Sequence, residues 1–182
     1  MTINTLRETY LTILGRIRAR LCSFNPQIKI GKGSIIDKGA ILRVQYGGYI
    51  EIGRNCYISS GVHILTHGGT ITIGDNCTVN PCSIIYGQGG CKIGTSVRIA
   101  AHCVIVPSNH KFNDRSRPIY LQGLECKGIS IEDDCWLGAG VKVLDGVSIR
   151  RGCVIGANSV LNKSTQPYGI YIGVPAKLLR TR

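Results

Sequence analysis

The amino-acid sequence predicts an all-β solenoid, a chain wound into stacked triangular coils. Two observations carry that reading: an aliphatic residue recurs every six positions, and a small residue stands at a fixed offset from it. A third observation, that insertions gather at one point of the coil, says where chemistry is to be sought.

The period comes first. Ile30, Ile36 and Leu42 are followed by Ile52, Ile58 and Ile64, by Ile73, Val79 and Ile85, and by Ile93, Ile99 and Ile105. After a gap come Ile131, Leu137 and Val143, then Ile149, Ile155 and Leu161. All eighteen are Ile, Leu or Val, types that supply only 51 of the 182 residues, so chance is a poor explanation. An amphipathic helix would repeat near every 3.6 residues instead. Each hexad makes one short face and one corner, and three close a triangle whose interior the aliphatic side chains fill.

The offset supports the period. Four residues after an aliphatic one, within continuous hexads, stand Ser34, Ala40, Cys56, Val62, Cys77, Ser83, Val97, Cys103, Cys135, Val141, Val147, Cys153 and Ser159. All are small, as a position where the chain turns inward requires. About six coils over residues 29–163 bury a continuous core and hydrogen-bond to one another, so the terminal coils need caps.

Insertions fall between the third hexad of one coil and the first of the next. Short ones lie at Arg43–Glu51, Leu65–Thr72 and Tyr86–Lys92, and the long one occupies 106–130. In a solenoid such insertions collect on one side, often the functional side.

Residues 1–28 read differently. Leu6, Tyr10, Ile13, Leu14, Ile17 and Leu21 recur at three- and four-residue steps, the mark of an amphipathic helix, and Arg16, Arg18 and Arg20 flank the stripe. Closing the open end of the solenoid is the favoured role. Peripheral contact with an anionic membrane surface is the alternative. Residues 164–182 form a short tail.

Composition narrows the function. With 22 Lys and Arg against 10 Asp and Glu, the net charge of +12 suits anionic ligands. No zinc-finger spacing and no aromatic RNA-binding motif accompany it, which argues against nucleic acid. There is no 18-residue apolar run and no signal-peptide pattern, so a cytoplasmic protein is expected. Five of the nine cysteines occupy the small inward position, so free, packed thiols are expected rather than disulfides or a nucleophile.

The motifs then point to a family. His110 stands in the long insertion as Pro107-Ser108-Asn109-His110-Lys111-Phe112. Ile131-Glu132-Asp133-Asp134-Cys135-Trp136-Leu137-Gly138-Ala139-Gly140 follows, and Gly173-Val174-Pro175-Ala176-Lys177 lies near the C-terminus. Together with the period, these segments resemble the hexapeptide-repeat acyltransferases, in particular the maltose, galactoside and polysaccharide O-acetyltransferase branch.

The resemblance implies a left-handed parallel β-helix, a homotrimer with sites between subunits, acetyl-CoA as acyl donor and a carbohydrate acceptor, as in polysaccharide or lipopolysaccharide synthesis. It implies that His110 is the general base that takes the acceptor's proton. Asn80, 30 residues earlier, matches an acceptor-binding asparagine. A corner asparagine in the left-handed conformation is the structural alternative for it. The resemblance further implies that Trp136, Gly138, Ala139 and Ala157 line the pantetheine arm, with the Ala139 N–H polarising the thioester carbonyl. Related enzymes often carry Ser at 139, but a backbone donor does not need that side chain. Asn162, Lys163, Lys177 and Arg180 fall toward the CoA phosphates. Asp114 and Asp37 are both candidates to orient His110, and the sequence does not choose between them. Arg150-Arg151 depart from the common Gly-Asp turn and have no assigned role.

Two other enzyme readings and one non-enzyme reading compete. γ-Class carbonic anhydrases share the coil and bind zinc through three histidines, but five residues beyond His102 this chain has Pro107, so no metal is expected. N-acetylation of a nucleotide-linked amino sugar would use the same donor site. A non-catalytic scaffold would need neither His110 nor the two motif segments.

Overall fold

A computed structural model describes residues 3–182, with side chains described from residue 9 onward. Its core is a parallel β-solenoid of six triangular coils, each with one strand on each of three faces. The first coil contributes Ile28–Ile30, Ile35–Ile36 and Ile41–Arg43, and the sixth Ser148–Ile149, Val154–Ile155 and Val160–Leu161. The first, second and third strands of the coils stack into faces A, B and C, respectively.

The period-six residues point inward as their spacing requires. Sixteen of the eighteen are no more than 2% exposed, and only Ile30 and Leu42, in the end coil, are partly open. Stacking in strict register aligns like with like: Ile52 pairs with Ile73, Ile99 with Leu137, and Val143 with Leu161. Every interior ladder is therefore a column of branched aliphatic side chains, the residues that suit a strand buried between neighbours.

The small inward residues do more than fit. The Ser34 hydroxyl donates to the Gly53 carbonyl at 2.7 Å and accepts from the Cys56 N–H at 2.9 Å. Ser83 does the same between Ala100 and Cys103. The thiols of Cys56, Cys77 and Cys103 donate to the carbonyls of Gly74, Gly94 and Gly138 in the next coil, at 3.0, 3.0 and 3.2 Å. Cysteine at this position is thus a compact core residue that also satisfies a corner carbonyl. All nine cysteines are unpaired.

At each corner between faces A and B and between faces B and C, one residue adopts the left-handed conformation. Between faces A and B these include Asn55, Asn76, Ser96 and Asp134, and between B and C Cys82, His102 and Asn158, all with φ of 55–61°. Asn80 is not among them. The left-handed residue at its corner is Cys82, so the conformational reason offered for Asn80 does not hold.

The N-terminal helix, Ile3–Cys22, packs on the first coil. It does so with its small residues rather than its apolar stripe. Gly15 is buried, and a Cβ there would stand 2.4 Å from the Ile35 side chain, so only glycine permits this approach. Ala19 is buried beside it and Cys22 partly so. Tyr10, Ile13, Ile17 and Leu21 face outward. Leu6 of the same pattern lies outside the residues whose side chains are described.

The C-terminal tail forms a hairpin on face B. Gly169–Gly173 adds to face B in parallel beside Val154–Ile155, and Ala176–Thr181 folds back antiparallel against it. Face B therefore has eight strands where faces A and C have six.

Candidate functional site

All four insertions leave face C and re-enter on face A, so they share one corner. The long one begins directly after Val104–Val106. It is a folded element: Asn109–His110 pairs antiparallel with Leu124–Glu125, placing His110 opposite Leu124. At its tip the Gln122 amide donates to the carbonyls of Asp114 and Arg117 at 2.7 and 2.8 Å. At its return the Asp145 carboxylate accepts from the N–H groups of Lys127 and Gly128, both at 2.9 Å. The hairpin carrying His110 is held at tip and base.

Beneath it lies an open cavity of about 480 Å³, lined by His110 with Tyr86, Gln88, Ser108, Tyr120 and Leu124 among others. The buried Ser108 hydroxyl lies 3.2 Å from the Gln88 side-chain carbonyl, which ties the root of the hairpin to the coil below. The ring of Tyr86 also stands 5.3 Å from that of His67. A solvent-accessible imidazole over a pocket of hydroxyl and amide groups suits a small polar acceptor. Tyr86 and Gln88 were not singled out from sequence, although their place in the insertion 86–92, one coil below the hairpin at the same corner, is a signal that could have found them.

Among the described residues no hydrogen bond joins His110 to either carboxylate proposed to orient it. Asp114 accepts from the hydroxyl and N–H of Ser116 at 2.6 and 2.9 Å, bonds that hold its carboxyl below the usual carboxylate range. Asp37 accepts from the Tyr57 hydroxyl at 2.7 Å in the first two coils, which pushes that phenol up to about 12. Asn80 does not line the His110 cavity.

The residues expected near the acyl donor lie on the later coils and the tail. Trp136 pairs with Val154, Val154 with Ile170, and Ile170 with Arg180, a single row across face B. Three strand spacings make it about 14 Å long. Trp136 and Arg180 are both exposed on it. Lys177 lies opposite Ile172 near the turn of the same hairpin. Gly138 and Ala139 turn the corner from face B to face C directly below Ala157. A Cβ on Gly138 would stand 2.7 Å from the Ala157 nitrogen, so glycine is required for the two coils to stack. Among the described hydrogen bonds none uses the N–H of Ala139 or Ala157, and both residues are exposed. Asn162 and Lys163 follow the last strand of face C and are exposed.

His110 and Ala139 thus belong to different corners of one chain, with face C between them. A three-residue strand such as Lys142–Leu144 separates those corners by about 10 Å. Arg150-Arg151 acquire a structural role: Glu132 accepts from the Arg150 guanidinium and from the Arg151 N–H, each at 2.8 Å, and its carboxyl is held below the usual range by those bonds. Among the described residues no group of three His, Cys, Asp or Glu side chains is placed to hold a metal ion, and no helix is long and apolar enough to cross a membrane.

Comparison with known proteins bears on this arrangement. The bacterial transferase hexapeptide (six repeats) family model matches residues 128–163. A probable acetyltransferase of Mycobacterium tuberculosis is 35% identical over 133 residues, 73% of this chain and 44% of that protein. An Escherichia coli protein, "Putative lipopolysaccharide biosynthesis O-acetyl transferase WbbJ", is 35% identical over 95 residues, 48% of each chain. The chain spans less than half the length of either curated relative. Among solved structures, the hexapeptide-repeat acetyltransferase VCA0836 of Vibrio cholerae, complexed with acetyl-CoA, superposes with a TM-score of 0.59 at 26% identity, over 98% of this chain and 88% of that one. AntD, an N-acyltransferase of Bacillus cereus, gives a TM-score of 0.76 at 21% identity over 91% and 89% of the two chains. The coils are those of a left-handed β-helix.

Proposed function

We propose that this chain is a hexapeptide-repeat acyltransferase and that it transfers an acetyl group from acetyl-CoA to a sugar hydroxyl. The single observation that carries this reading is the presentation of His110 over an open cavity by a hairpin secured at both ends. The acetyl-CoA bound by the Vibrio cholerae protein supports the donor, and the lipopolysaccharide O-acetyl transferase supports a glycan acceptor.

The chemistry follows from the groups in place. His110 takes the proton of the acceptor hydroxyl as its oxygen attacks the thioester carbon. Negative charge grows on the carbonyl oxygen, and the unused N–H of Ala139 is the donor assigned to it. The thiolate of CoA leaves as the ester forms, and the proton held on the imidazole returns to it. Asn80, which stands at the same corner as Ala139 rather than in the His110 cavity of its own chain, is assigned to the acceptor held by the neighbouring subunit's His110. Trp136, Gly138 and Ala157 are assigned to the pantetheine arm, and Asn162, Lys163, Lys177 and Arg180 to the CoA phosphates, where cations and amide donors suit anionic oxygens. No activated cysteine or serine enters, so transfer is direct.

The separation of His110 from Ala139 by one face supports a homotrimer. In a closed ring of three, the base of one subunit meets the donor groove of its neighbour, giving three sites. A monomeric mass by light scattering at assay concentration would remove that assembly. The activity itself is tested by incubating the chain with acetyl-CoA and a panel of free sugars, glycan fragments and nucleotide-linked amino sugars, following thiol release and the mass of the product. An O-acetylated sugar is expected. An N-acetylated amino sugar as the sole product would replace the hydroxyl acceptor by an amine, and absence of CoA binding would favour a scaffold.

A further inference from the structure

The N-terminal helix has two faces, and only one of them is used. Gly15, Ala19 and Cys22 turn toward the first coil. On the opposite side Tyr10, Ile13, Ile17 and Leu21 are 46–61% exposed, and Phe24, just beyond the helix end, is 82% exposed. Helical spacing puts Arg18 along one edge of this stripe and Arg16 and Arg20 along the other. None of the three arginines has an acidic partner among the described residues. The 20-residue helix is about 30 Å long, so the feature is an apolar band with cationic borders.

We propose that this face lies on an anionic lipid surface, with the stripe among the acyl-chain boundaries and the arginines on the headgroup phosphates. Charge decides for lipid over a second copy of the chain. Another copy would have to offer carboxylates to the arginines, and nine of the ten acids are already engaged within the chain. Glu51, Asp75, Glu125, Glu132 and Asp134 pair with Lys29, Arg54, Lys127, Arg150 and Arg182. Asp37 accepts from Tyr57, Asp114 from Ser116, Asp133 from the Thr95 N–H, and Asp145 from Lys127 and Gly128. The tenth, Glu8, lies outside the residues whose side chains are described. An anionic bilayer supplies phosphates without breaking any of these pairs, and arginine stems reach from the edge of a stripe to the headgroups.

The test is flotation of the full-length chain with vesicles of phosphatidylcholine alone and of phosphatidylcholine mixed with phosphatidylglycerol. Partitioning into the mixed vesicles is expected, with little into the neutral ones, and it should fall as salt is raised. Arg16→Gln with Arg20→Gln should lower it about thirty-fold, the loss expected for two arginines beside an anionic surface. Ile17→Asp with Leu21→Asp should lower it at least about ten-fold. Both pairs are exposed, so the melting temperature should stay unchanged, and turnover on a soluble acceptor should be retained. Absence of binding to mixed vesicles, or binding that survives the Ile17→Asp/Leu21→Asp change, overturns the proposal. Should the wild type stay off vesicles while that variant loses mass by light scattering, the face is instead an interface between copies. Flotation, melting temperature and light scattering do not depend on acetyl transfer, so the lipid proposal and the catalytic one fail separately.

Discussion

Replacing His110 by alanine separates catalysis from structure more cleanly than any other change in the site. The side chain is exposed and makes no hydrogen bond that holds the hairpin together. What fixes the segment is main-chain pairing with Leu124 and the anchors at Gln122 and Asp145, all of which survive truncation. Stability should therefore change by no more than about 0.5 kcal/mol. Loss of a positioned base, by contrast, costs about a hundred- to ten-thousand-fold in turnover, or about 3–5 kcal/mol of barrier. The Michaelis constant for acetyl-CoA should hardly move, because the groups assigned to the donor lie on another corner. Since the cavity beneath His110 is open and about 480 Å³, imidazole added to the buffer should restore part of the rate. The assay is product formation by mass spectrometry, since exposed thiols on the chain would add background to a thiol stain. A His110→Ala enzyme with full turnover on its true acceptor would refute the assignment.

Other consequences are as direct. Gly138→Ala would place a Cβ 2.7 Å from the Ala157 nitrogen and 2.9 Å from the Ile155 oxygen, backbone atoms that cannot swing aside. A loss of about 1–3 kcal/mol is expected, read as a lower melting temperature with weaker acetyl-CoA binding, and an unchanged melt would refute the close approach. Lys177→Ala or Arg180→Ala should raise the Michaelis constant for acetyl-CoA by the equivalent of about 1–3 kcal/mol, and an equal effect with a donor lacking the nucleotide would show that they do not touch it. In the native chain Cys82 and Cys126 should alkylate promptly and Cys22 slowly, while the six buried thiols wait for unfolding. Burial pushes Cys91 and Cys135 up to about 12, leaving a thiolate fraction of only about 10⁻⁵ at neutral pH. Denaturant without reductant should expose all nine, and a lower count would reveal a disulfide. Glu132→Gln should lower stability at neutral pH by under about 1 kcal/mol. The folded-state carboxyl is depressed by Arg150, so the gap between variant and wild type should close as acid protonates Glu132 in the wild type.

The solenoid was legible because its constraint is periodic. A residue six positions on meets the same interior, and a column of like side chains must be aliphatic throughout. Only Ile30 and Leu42 are partly open, because the first coil has a neighbour coil on one side alone. The insertions were legible for a related reason: they interrupt the period at one phase. What the period could not report was anything set by contacts outside it. The tail carries no hexad after Leu161, yet Gly169–Gly173 finds a parallel partner in Val154–Ile155 because that edge is otherwise open. The partners of Asp37 and Asp114 are a tyrosine on the next coil and a serine two residues away, choices made by local geometry.

The N-terminal helix shows the same limit in its sharpest form. Sequence spacing identified a stripe of large apolar residues and supplied an obvious surface for it to cover. The helix reaches that surface, but by the side that carries Gly15 and Ala19, because an axis packed this close to Ile35 leaves no room for a large side chain. Amphipathic spacing says which residues share a face. It does not say whether that face is the one turned toward the protein. In this chain closing the coil and meeting a surface were read as competing roles for one stripe. The structure assigns the first to the small-residue face and leaves the apolar one open, bordered by arginines that no carboxylate among the described residues answers.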